Sequence, residues 1–422
     1  MRNLIHFFKN ITSQQLFLLI AFVGLVSINP RVNGWNEASR MALTQSLVER
    51  GTFIIDASEF AGTGDKVFIN NHFYSDKPPV PSMLGALVYW PLYHLGLRLD
   101  YGWNLSYYLI ILFTVKLFWL SSIWAFRKIM LLQGTEAGRS NLLALIFAFG
   151  SLMFTWSATF NNHSLAASCL TLGLWGYLAG SKYRHYGLLA FAGFMLGLAG
   201  SMDVPTLIYL LGFAYLMLKK FGLKRETWLF AVAALLPISL YLVMNFNIAR
   251  TILPVQMIPE YFQFEGSVWG EGVKLNTFTG TILYGMRSLF GAAGFVWYNP
   301  LLILLIPALI RMIRETGEWG SLAGIGFISS IILIGYYIIF TQNYSGWSYS
   351  IRWFVPVLPF IFLGLPGVYQ SPKQALSQRI VLSLVALSIL ISVIGLINPW
   401  SNQDVNSIPF CANIQQLFYY LY

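Results

Sequence analysis

The stretch from Arg31 to Pro79 brings together residue types that could carry out acid–base and anion-binding chemistry. It holds six acids and five bases, in a chain whose residues are only 10% charged. A carboxylate can accept a proton from a reacting group, and a Lys or Arg can hold an anion. We therefore predict that this loop carries the functional site. Its charged residues are Glu37, Glu49, Asp56, Glu59, Asp65, Asp76, Arg31, Arg40, Arg50, Lys66 and Lys77.

The composition indicates a membrane protein. Of the 422 residues, 57% are hydrophobic and 17% aromatic, and the mean hydropathy is +0.63. Repeated runs of about 20 apolar residues are typical of transmembrane helices. The net charge of +10 lies largely beside these runs, so we attribute it to membrane orientation and expect no nucleic-acid partner. The two cysteines, Cys169 and Cys411, indicate neither a disulfide framework nor a metal cluster.

The charges between the apolar runs indicate how the chain is oriented. We take Leu16 to Ile28 as an uncleaved anchor and Trp103 to Phe126 as the second span. The segments predicted inside then hold fifteen Lys and Arg against four acids, and those predicted outside hold ten against twelve. Inside loops are normally rich in Lys and Arg. Counting residues 80–97 as a span would reverse every later loop, so we predict an interfacial helix there and about eleven transmembrane helices.

The resulting prediction is an all-α polytopic protein with a single membrane domain over residues 1–422. It lies in the plasma (inner) membrane, among membrane lipids, with its functional face outside. The two large outer loops are residues 31–79 and 247–287.

Local signals divide the first outer loop into short elements. Asn36 can cap a helix from Glu37 to Arg50, which Gly51 would end. Glu37 and Arg40 would share one face of that helix. Two further elements are predicted, a strand over Thr52 to Ile55 and a hairpin made of residues 67–69 and 72–74 around Asn70 and Asn71.

Several motifs in this loop and beyond it resemble those of known enzymes. They are WNEASR, GTFIID and HFYSDKPP in the loop, SATFNNHS at the start of a later span, and SYSIRWFVPVLPF near Arg352. Together they resemble the GT-C fold of lipid-dependent glycosyltransferases, above all protein O-mannosyltransferases and bacterial aminoarabinose transferases. The motifs cover roughly the first 210 residues, and the remainder is similar in helix arrangement only.

The resemblance implies roles for particular residues. Asp76 falls at a metal-ligand position and Lys77 at the position that holds the donor phosphate. The family usually has Asp-Glu where this chain has Asn36 and Glu37, so the usual Asp base is missing. Either Glu37 or Asp56 would then be the catalytic base.

Physical reasoning from the residues reaches a similar function. Outside the cell there is no nucleotide pool, and the sequence has no Walker motif and no glycine-rich dinucleotide fingerprint. A group transfer there needs a donor supplied by the membrane, and a sugar on a polyprenyl phosphate fits that need. We therefore predict a hexosyl- or pentosyltransferase whose acceptor the sequence does not identify. The alternative is a secondary transporter or lipid flippase, which would place its ionisable groups near the middle of the membrane.

Each of the remaining candidate residues could have either a structural or a functional role. A divalent metal ion is expected only if Asp76 and His72 bind one. His163 and Asp203 either bind substrate or serve as an interfacial histidine and a helix cap. Arg352 either anchors the chain at the interface or holds a phosphate, and Lys116 inside a span needs a polar partner or a lipid phosphate. The other assigned substrate-binding residues are Arg40, Tyr74 and Asn162.

Overall fold

The structure is a computed structural model, which describes residues 12–269, 277–370, 375–401 and 407–421. It is mostly helical. The helices are α1 (Ser13–Val26), α2 (Trp35–Glu49), α3 (Pro79–His94), α4 (Leu105–Leu132), α5 (Ala137–Phe149), α6 (Leu152–Trp156), α7 (Asn162–Tyr183), α8 (Tyr186–Met202), α9 (Leu207–Phe221), α10 (Arg225–Ala249), α11 (Phe278–Phe290), α12 (Leu302–Ile313), α13 (Glu318–Phe340), α14 (Leu358–Ile361), α15 (Leu365–Gln370), α16 (Ala375–Gly395) and α17 (Pro409–Leu421). A π-helical turn at Leu112–Lys116 interrupts α4. Turns of 3₁₀ helix lie at Val204–Thr206, Val255–Met257, Pro259–Phe262, Arg352–Val357 and Phe362–Gly364.

Six helical segments of the described chain are long and apolar enough to cross a membrane. Four shorter apolar helices, α1, α5, α8 and α12, accompany them. The chain is therefore a multi-pass membrane protein, and the count of about eleven spans stays a prediction. The six segments are Leu105–Leu132, Val204–Phe221, Arg225–Ala249, Glu318–Phe340, Arg352–Tyr369 and Gln378–Gly395.

Helix α7 runs through the centre of the protein, and nearly all of its residues are buried. It packs against α8 through Gly173, Gly176 and Gly180, whose missing side chains leave room for the backbone and leucines of α8. Small residues at such spacing let membrane helices approach closely.

Helices α8 and α10 lie closer still. A Cβ atom on Gly193 would lie 2.0 Å from the Phe230 carbonyl oxygen, and one on Gly197 would lie 2.2 Å from that of Ala234. Both distances are far inside van der Waals contact. The two backbones therefore touch at a place where only glycine fits.

The first outer loop folds as a helix followed by a hairpin. Helix α2 begins at Trp35 with Gly34 as its N-cap, so the prediction that Asn36 caps it is wrong. Instead, the Asn36 side chain accepts a hydrogen bond from Arg40, which holds it inside the first turn. At the other end, Gly51 adopts a φ of 63°, as predicted for the residue that ends the helix.

The hairpin is confirmed. Strand β1 (Lys66–Ile69) pairs antiparallel with β2 (His72–Ser75), and Asn70 and Asn71 form the turn with φ angles of 50° and 67°. Asn tolerates this left-handed conformation, which the favoured two-residue hairpin turns require. No strand forms over Thr52 to Ile55, contrary to the prediction, because only the Ile55 amide bonds to the hairpin, at the Phe73 carbonyl.

A helix is observed where one was predicted over residues 80–97; it is α3, which begins at Pro79 and ends at His94. Proline suits the first turn of a helix, since its missing N–H would have no helical partner there. Helix α3 packs along α2 and carries exposed Leu87 and Trp90. Its position at a membrane surface stays a prediction.

Candidate active site

Glu37 lies in the first turn of α2 and is completely buried. Its Oε1 accepts hydrogen bonds from the Tyr107 hydroxyl at 2.5 Å and from the Phe160 amide at 3.3 Å. Its Oε2 accepts one from the Asn33 amide at 2.9 Å. Three separate segments of the chain therefore hold one carboxylate in a fixed orientation.

This environment tunes the acidity of Glu37. Burial raises the pKa of the Glu37 carboxyl to about 6, although the bonds from Tyr107 and Asn33 partly oppose the rise. Desolvation disfavours the charged form, whereas donors to the carboxylate favour it. A carboxylate with such a pKa is still ionised at pH 7 and is a stronger proton acceptor than an ordinary one.

Arg40 lies one turn further along α2, with its side chain almost completely buried. It donates to the Asn36 side chain, to the Pro78 carbonyl and, at 2.7 Å, to Asn162 Oδ1 at the start of α7. Burial lowers the pKa of the Arg40 guanidinium to about 10, although the Asp76 carboxylate raises it. Arg40 therefore stays charged at pH 7.

Lys77 lies between two buried carboxylates. Its Nζ is 2.8 Å from Asp65 Oδ2 and 2.8 Å from Asp76 Oδ2. The other oxygen of Asp76 accepts from the Ser39 hydroxyl on α2 at 3.3 Å. Burial raises the pKa of the Asp76 carboxyl, and the Lys77 ammonium opposes that rise. The pair of Asp76 and Lys77 is thus part of the interior and not a surface ion pair.

His163 and Asp203 form a second buried group. His163 Nδ1 lies 2.7 Å from Asp203 Oδ2, and the Tyr337 hydroxyl donates to Asp203 Oδ1 at 2.8 Å. The carboxylate of Asp203 thereby fixes the orientation of the imidazole. Asp203 lies just past the end of α8, but its side chain bonds to α7 and α13, so it does more than end a helix.

Arg352 is buried, with 8% of its surface exposed, and is only partly satisfied. One nitrogen donates to the Trp347 carbonyl at 3.4 Å, and the guanidinium lies 4.9 Å from the centre of the Trp400 ring. Its Nε has no hydrogen-bond partner. A buried donor left unpaired costs about 1–3 kcal/mol, so an Arg in this state points to a ligand that would complete it.

The segment before Arg352 is held in unusual backbone conformations. Tyr344, Ser345 and Ser350 all have positive φ angles, of 49°, 70° and 68°. The Ser345 hydroxyl accepts a bond from the Arg352 amide at 3.3 Å. Non-glycine residues with positive φ often lie at functional sites, and here the strained segment directly precedes the arginine whose Nε has no partner.

These charged groups influence one another. The charges of Asp76, Arg352, Asp203 and Asp65 all act on Arg40. The structure thus brings together the predicted residues Arg40, Asp76, Lys77, Asn162, His163, Asp203 and Arg352. We call this set, with Asp65, the polar cluster.

Asp56 and His72 lie outside the polar cluster. The His72 imidazole and the Asp56 carboxylate are hydrogen-bonded at 2.7 Å, and the side chains of Asp56 and His72 are 37% and 48% exposed. Asp56 also accepts from the Phe73 amide at 2.7 Å, which ties the loop to the hairpin. Tyr74 packs against a small apolar group that includes Ile248, so it too is not in the polar cluster.

The structure does not support a metal site made from Asp76 and His72. His72 starts strand β2 and Asp76 directly follows it, so the two residues are roughly 13 Å apart along an extended chain. Among the described residues, no three of His, Cys, Asp and Glu come close enough to hold an ion. Near Asp76, the ammonium of Lys77 bridges the two carboxylates where a cation would bind. The residues as arranged therefore do not fit a metal ion.

Sequence reasoning missed three partners in this region. Tyr107, Tyr337 and Asp65 were not assigned, although each contacts an assigned residue. Tyr107 and Tyr337 lie within apolar helices where nothing in the local sequence distinguishes them. Asp65 could have been assigned from the sequence, since it is one of the six acids of the first outer loop.

Lys116 has polar partners, as expected for a charge within a span. Its Nζ donates to Ser27 Oγ at 2.7 Å and to Ser157 Oγ at 2.8 Å. The ammonium also lies 4.9 Å from the centre of the Trp119 ring.

No protein-family model matches the chain, and no curated protein matches its sequence. Solved structures do match its fold. ArnT from Cupriavidus metallidurans bound to undecaprenyl phosphate aligns with a TM-score of 0.57 and 15% identity, over 95% of this chain and 77% of that chain. The apo state of the same ArnT gives 0.51 and 14%, over 96% and 74%.

A third match is the Archaeoglobus fulgidus oligosaccharyltransferase tethered to an acceptor peptide. It aligns with a TM-score of 0.52 and 11% identity over 93% of this chain, and this chain spans 56% of its length. The chain therefore has the fold of these proteins, the GT-C fold, which confirms the fold that the motif resemblance implied.

Proposed function

We propose that this protein is a glycosyltransferase that moves a sugar from a polyprenyl-phosphate carrier to an acceptor at the outer face of the membrane. The observation that carries the proposal is the completely buried Glu37 carboxylate, which three hydrogen-bond donors hold on the same helix as Arg40 of the polar cluster. The fold supports it, because ArnT has been solved with undecaprenyl phosphate and the oligosaccharyltransferase with an acceptor peptide.

Glu37 is the proposed base. Its carboxylate takes the proton of the acceptor hydroxyl while the acceptor oxygen bonds to the anomeric carbon of the sugar. The bond from that carbon to the phosphate oxygen breaks, and its electron pair leaves with the phosphate. Attack from the face opposite to the leaving phosphate inverts the anomeric centre.

Arg352 and Arg40 are the proposed holders of the departing phosphate. Arg352 has a free buried Nε, and fixed donors aimed at developing charge lower the barrier more in a dry site than in water. Lys77 is already paired with Asp65 and Asp76, so it adjoins the phosphate only if it gives up one of these bonds. Asp203 fixes the orientation of the His163 imidazole, which is proposed to bind the donor or the acceptor.

An apolar cavity next to the polar cluster suits the carrier's hydrocarbon chain. Its volume is about 140 Å³, and it flanks Asp203 on both sides in sequence. The walls come from α8, α9, α10 and the loop that follows α10, and include Gly200, Val204, Leu207, Ile238, Leu242 and Pro254.

The test is transfer by the protein reconstituted in vesicles with a panel of polyprenyl-phosphate sugars. Glu37→Gln keeps the shape of the side chain and removes the base, so turnover should fall by at least about 100-fold with donor binding largely intact. Glu59→Gln, at an exposed acid of the same loop, is the matched control and should keep full turnover. Normal turnover of Glu37→Gln would contradict the assigned base, and a wild-type protein that transfers no sugar from any such donor would contradict the function.

A further inference from the structure

Lys116 is a buried lysine that takes no direct part in the proposed reaction. Its side chain is 3% exposed and lies in a helix long and apolar enough to cross a membrane. Among the described residues, no carboxylate lies within ion-pair distance of it. An ionisable side chain in such a position is costly and is usually retained for function.

The hydroxyl groups bound to Lys116 can only accept from it. The Ser27 hydroxyl donates its proton to the Gly24 carbonyl at 3.0 Å, and the Ser157 hydroxyl donates to the Phe154 carbonyl at 2.6 Å. Each oxygen then offers a lone pair to the ammonium. Lys116 therefore joins the end of α1 to the segment that follows α6.

Those two segments are the ones that hold Glu37. The segment after Ser27 leads to Asn33, whose amide binds Oε2, and the segment after Ser157 leads to Phe160, whose amide binds Oε1. The Asn29 amide bonds to the Ala158 carbonyl at 3.0 Å, so the two segments run together toward the carboxylate.

The third donor to Glu37 is on the same helix as Lys116. Tyr107 lies about two and a half turns before Lys116 on α4, and the π-helical turn between them ends at Lys116. Single π-helical turns within α-helices are frequent at functional sites, where they redirect side chains. One helix thus presents both the hydroxyl that binds Glu37 and the ammonium that joins the other two segments.

We infer that Lys116 is a positioning residue, which fixes the three donors of the Glu37 carboxylate in one arrangement. The inference rests on the proposed function, in which Glu37 is the base. Without the Lys116 side chain, the segments after Ser27 and Ser157 lose their attachment to α4, and the backbone bond between Asn29 and Ala158 is left to hold them together. The amides of Asn33 and Phe160 then bind the carboxylate less well, and Glu37 becomes both less ionised and less well oriented.

The test compares Lys116→Met with the wild type in reconstituted vesicles. The variant should lower kcat by about tenfold or more while the KM for a polyprenyl-phosphate sugar stays within about twofold. The acidic limb of the rate profile should move to higher pH, because weaker donors leave the carboxyl easier to protonate. Lys116→Arg keeps the charge and the donors and should recover part of the loss. Lys182→Met, at an exposed lysine near the end of α7, should change nothing.

A second pair of variants covers the case in which Lys116→Met does not fold. Ser27→Ala and Ser157→Ala each remove one acceptor of the ammonium, and each should shift the acidic limb in the same direction by a smaller amount. An unchanged limb in folded Lys116→Met, or in both serine variants, would overturn the inference.

A readout without turnover separates this inference from the proposed function. The infrared band of the protonated Glu37 carboxyl, identified by its loss in Glu37→Gln, reports the titration of that group directly. It should titrate at higher pH in Lys116→Met than in the wild type. A shifted titration in a protein that transfers no sugar would leave the positioning role standing and remove the function.

Discussion

Replacing Tyr107 by Phe removes the shortest hydrogen bond to the Glu37 carboxylate. The bond from the Phe160 amide to the same oxygen, Oε1, remains. A hydrogen bond to a charged group contributes about 1.5–3 kcal/mol, and one pKa unit corresponds to about 1.4 kcal/mol. Since Glu37 is completely buried, solvent does little to screen the loss. The pKa of Glu37, about 6 in the wild type, should therefore rise by about one to two units.

The sign follows from the role of a base, which must be ionised to act. At pH 7 the ionised fraction falls from about nine tenths to between about a half and a tenth, so the rate falls by up to about tenfold. At pH 9 most of the rate returns. The assay is kcat against pH from 5 to 9 with a saturating donor.

The neighbouring Tyr108 is a suitable control, because its hydroxyl donates to the Leu25 carbonyl and does not contact Glu37. Tyr108→Phe should leave the acidic limb in place. If Tyr107→Phe also leaves it in place, the limb does not report Glu37, and the assignment of the base fails. A uniform loss of rate at every pH would show that Tyr107 acts on something other than the protonation of Glu37.

Three further results are expected. Asp56→Asn should lower transfer by less than about threefold, because this exposed acid pairs with His72 on the hairpin; a loss as large as that of Glu37→Gln would make Asp56 the base. Arg352→Gln should weaken binding of a polyprenyl phosphate by about tenfold or more in a direct lipid-binding assay, since it removes a charged and unpaired donor; unchanged affinity would place the phosphate elsewhere. Chelation with EDTA should leave transfer unchanged, because Lys77 bridges the carboxylates of the only predicted metal position; loss of activity that Mg²⁺ or Zn²⁺ restores would show that the lysine gives way to an ion.

The sequence predicted those parts of the site that depend on neighbouring residues. The helix that carries Glu37 and Arg40, its end at Gly51 and the Asn70–Asn71 hairpin all follow from local turn and capping preferences. The error at Asn36 also has a local cause. An Asn near the start of a helix can cap it or form a side-chain bond to a residue one turn further on, and here Asn36 bonds to Arg40.

The contacts between helices could not be predicted in the same way. Tyr107 and Glu37 are 70 residues apart, and Tyr337 is 134 residues from Asp203. Only the packing of the apolar helices brings these side chains together, and hydropathy does not specify which faces meet. For the same reason, the sequence left both Glu37 and Asp56 as candidates for the base, whereas the fold buries Glu37 and exposes Asp56.

The backbone contact between α8 and α10 bears on how the protein responds to the bilayer around it. At Gly193 and Gly197 the helices interlock so closely that neither can slide along the other without a clash with the Phe230 or Ala234 carbonyl. A membrane thinner or thicker than the apolar length of these helices must therefore be accommodated by tilting the pair as one unit or by deforming the lipid. Because α8 leads directly to Asp203, the depth of that carboxylate relative to α10 stays constant across membranes of different thickness.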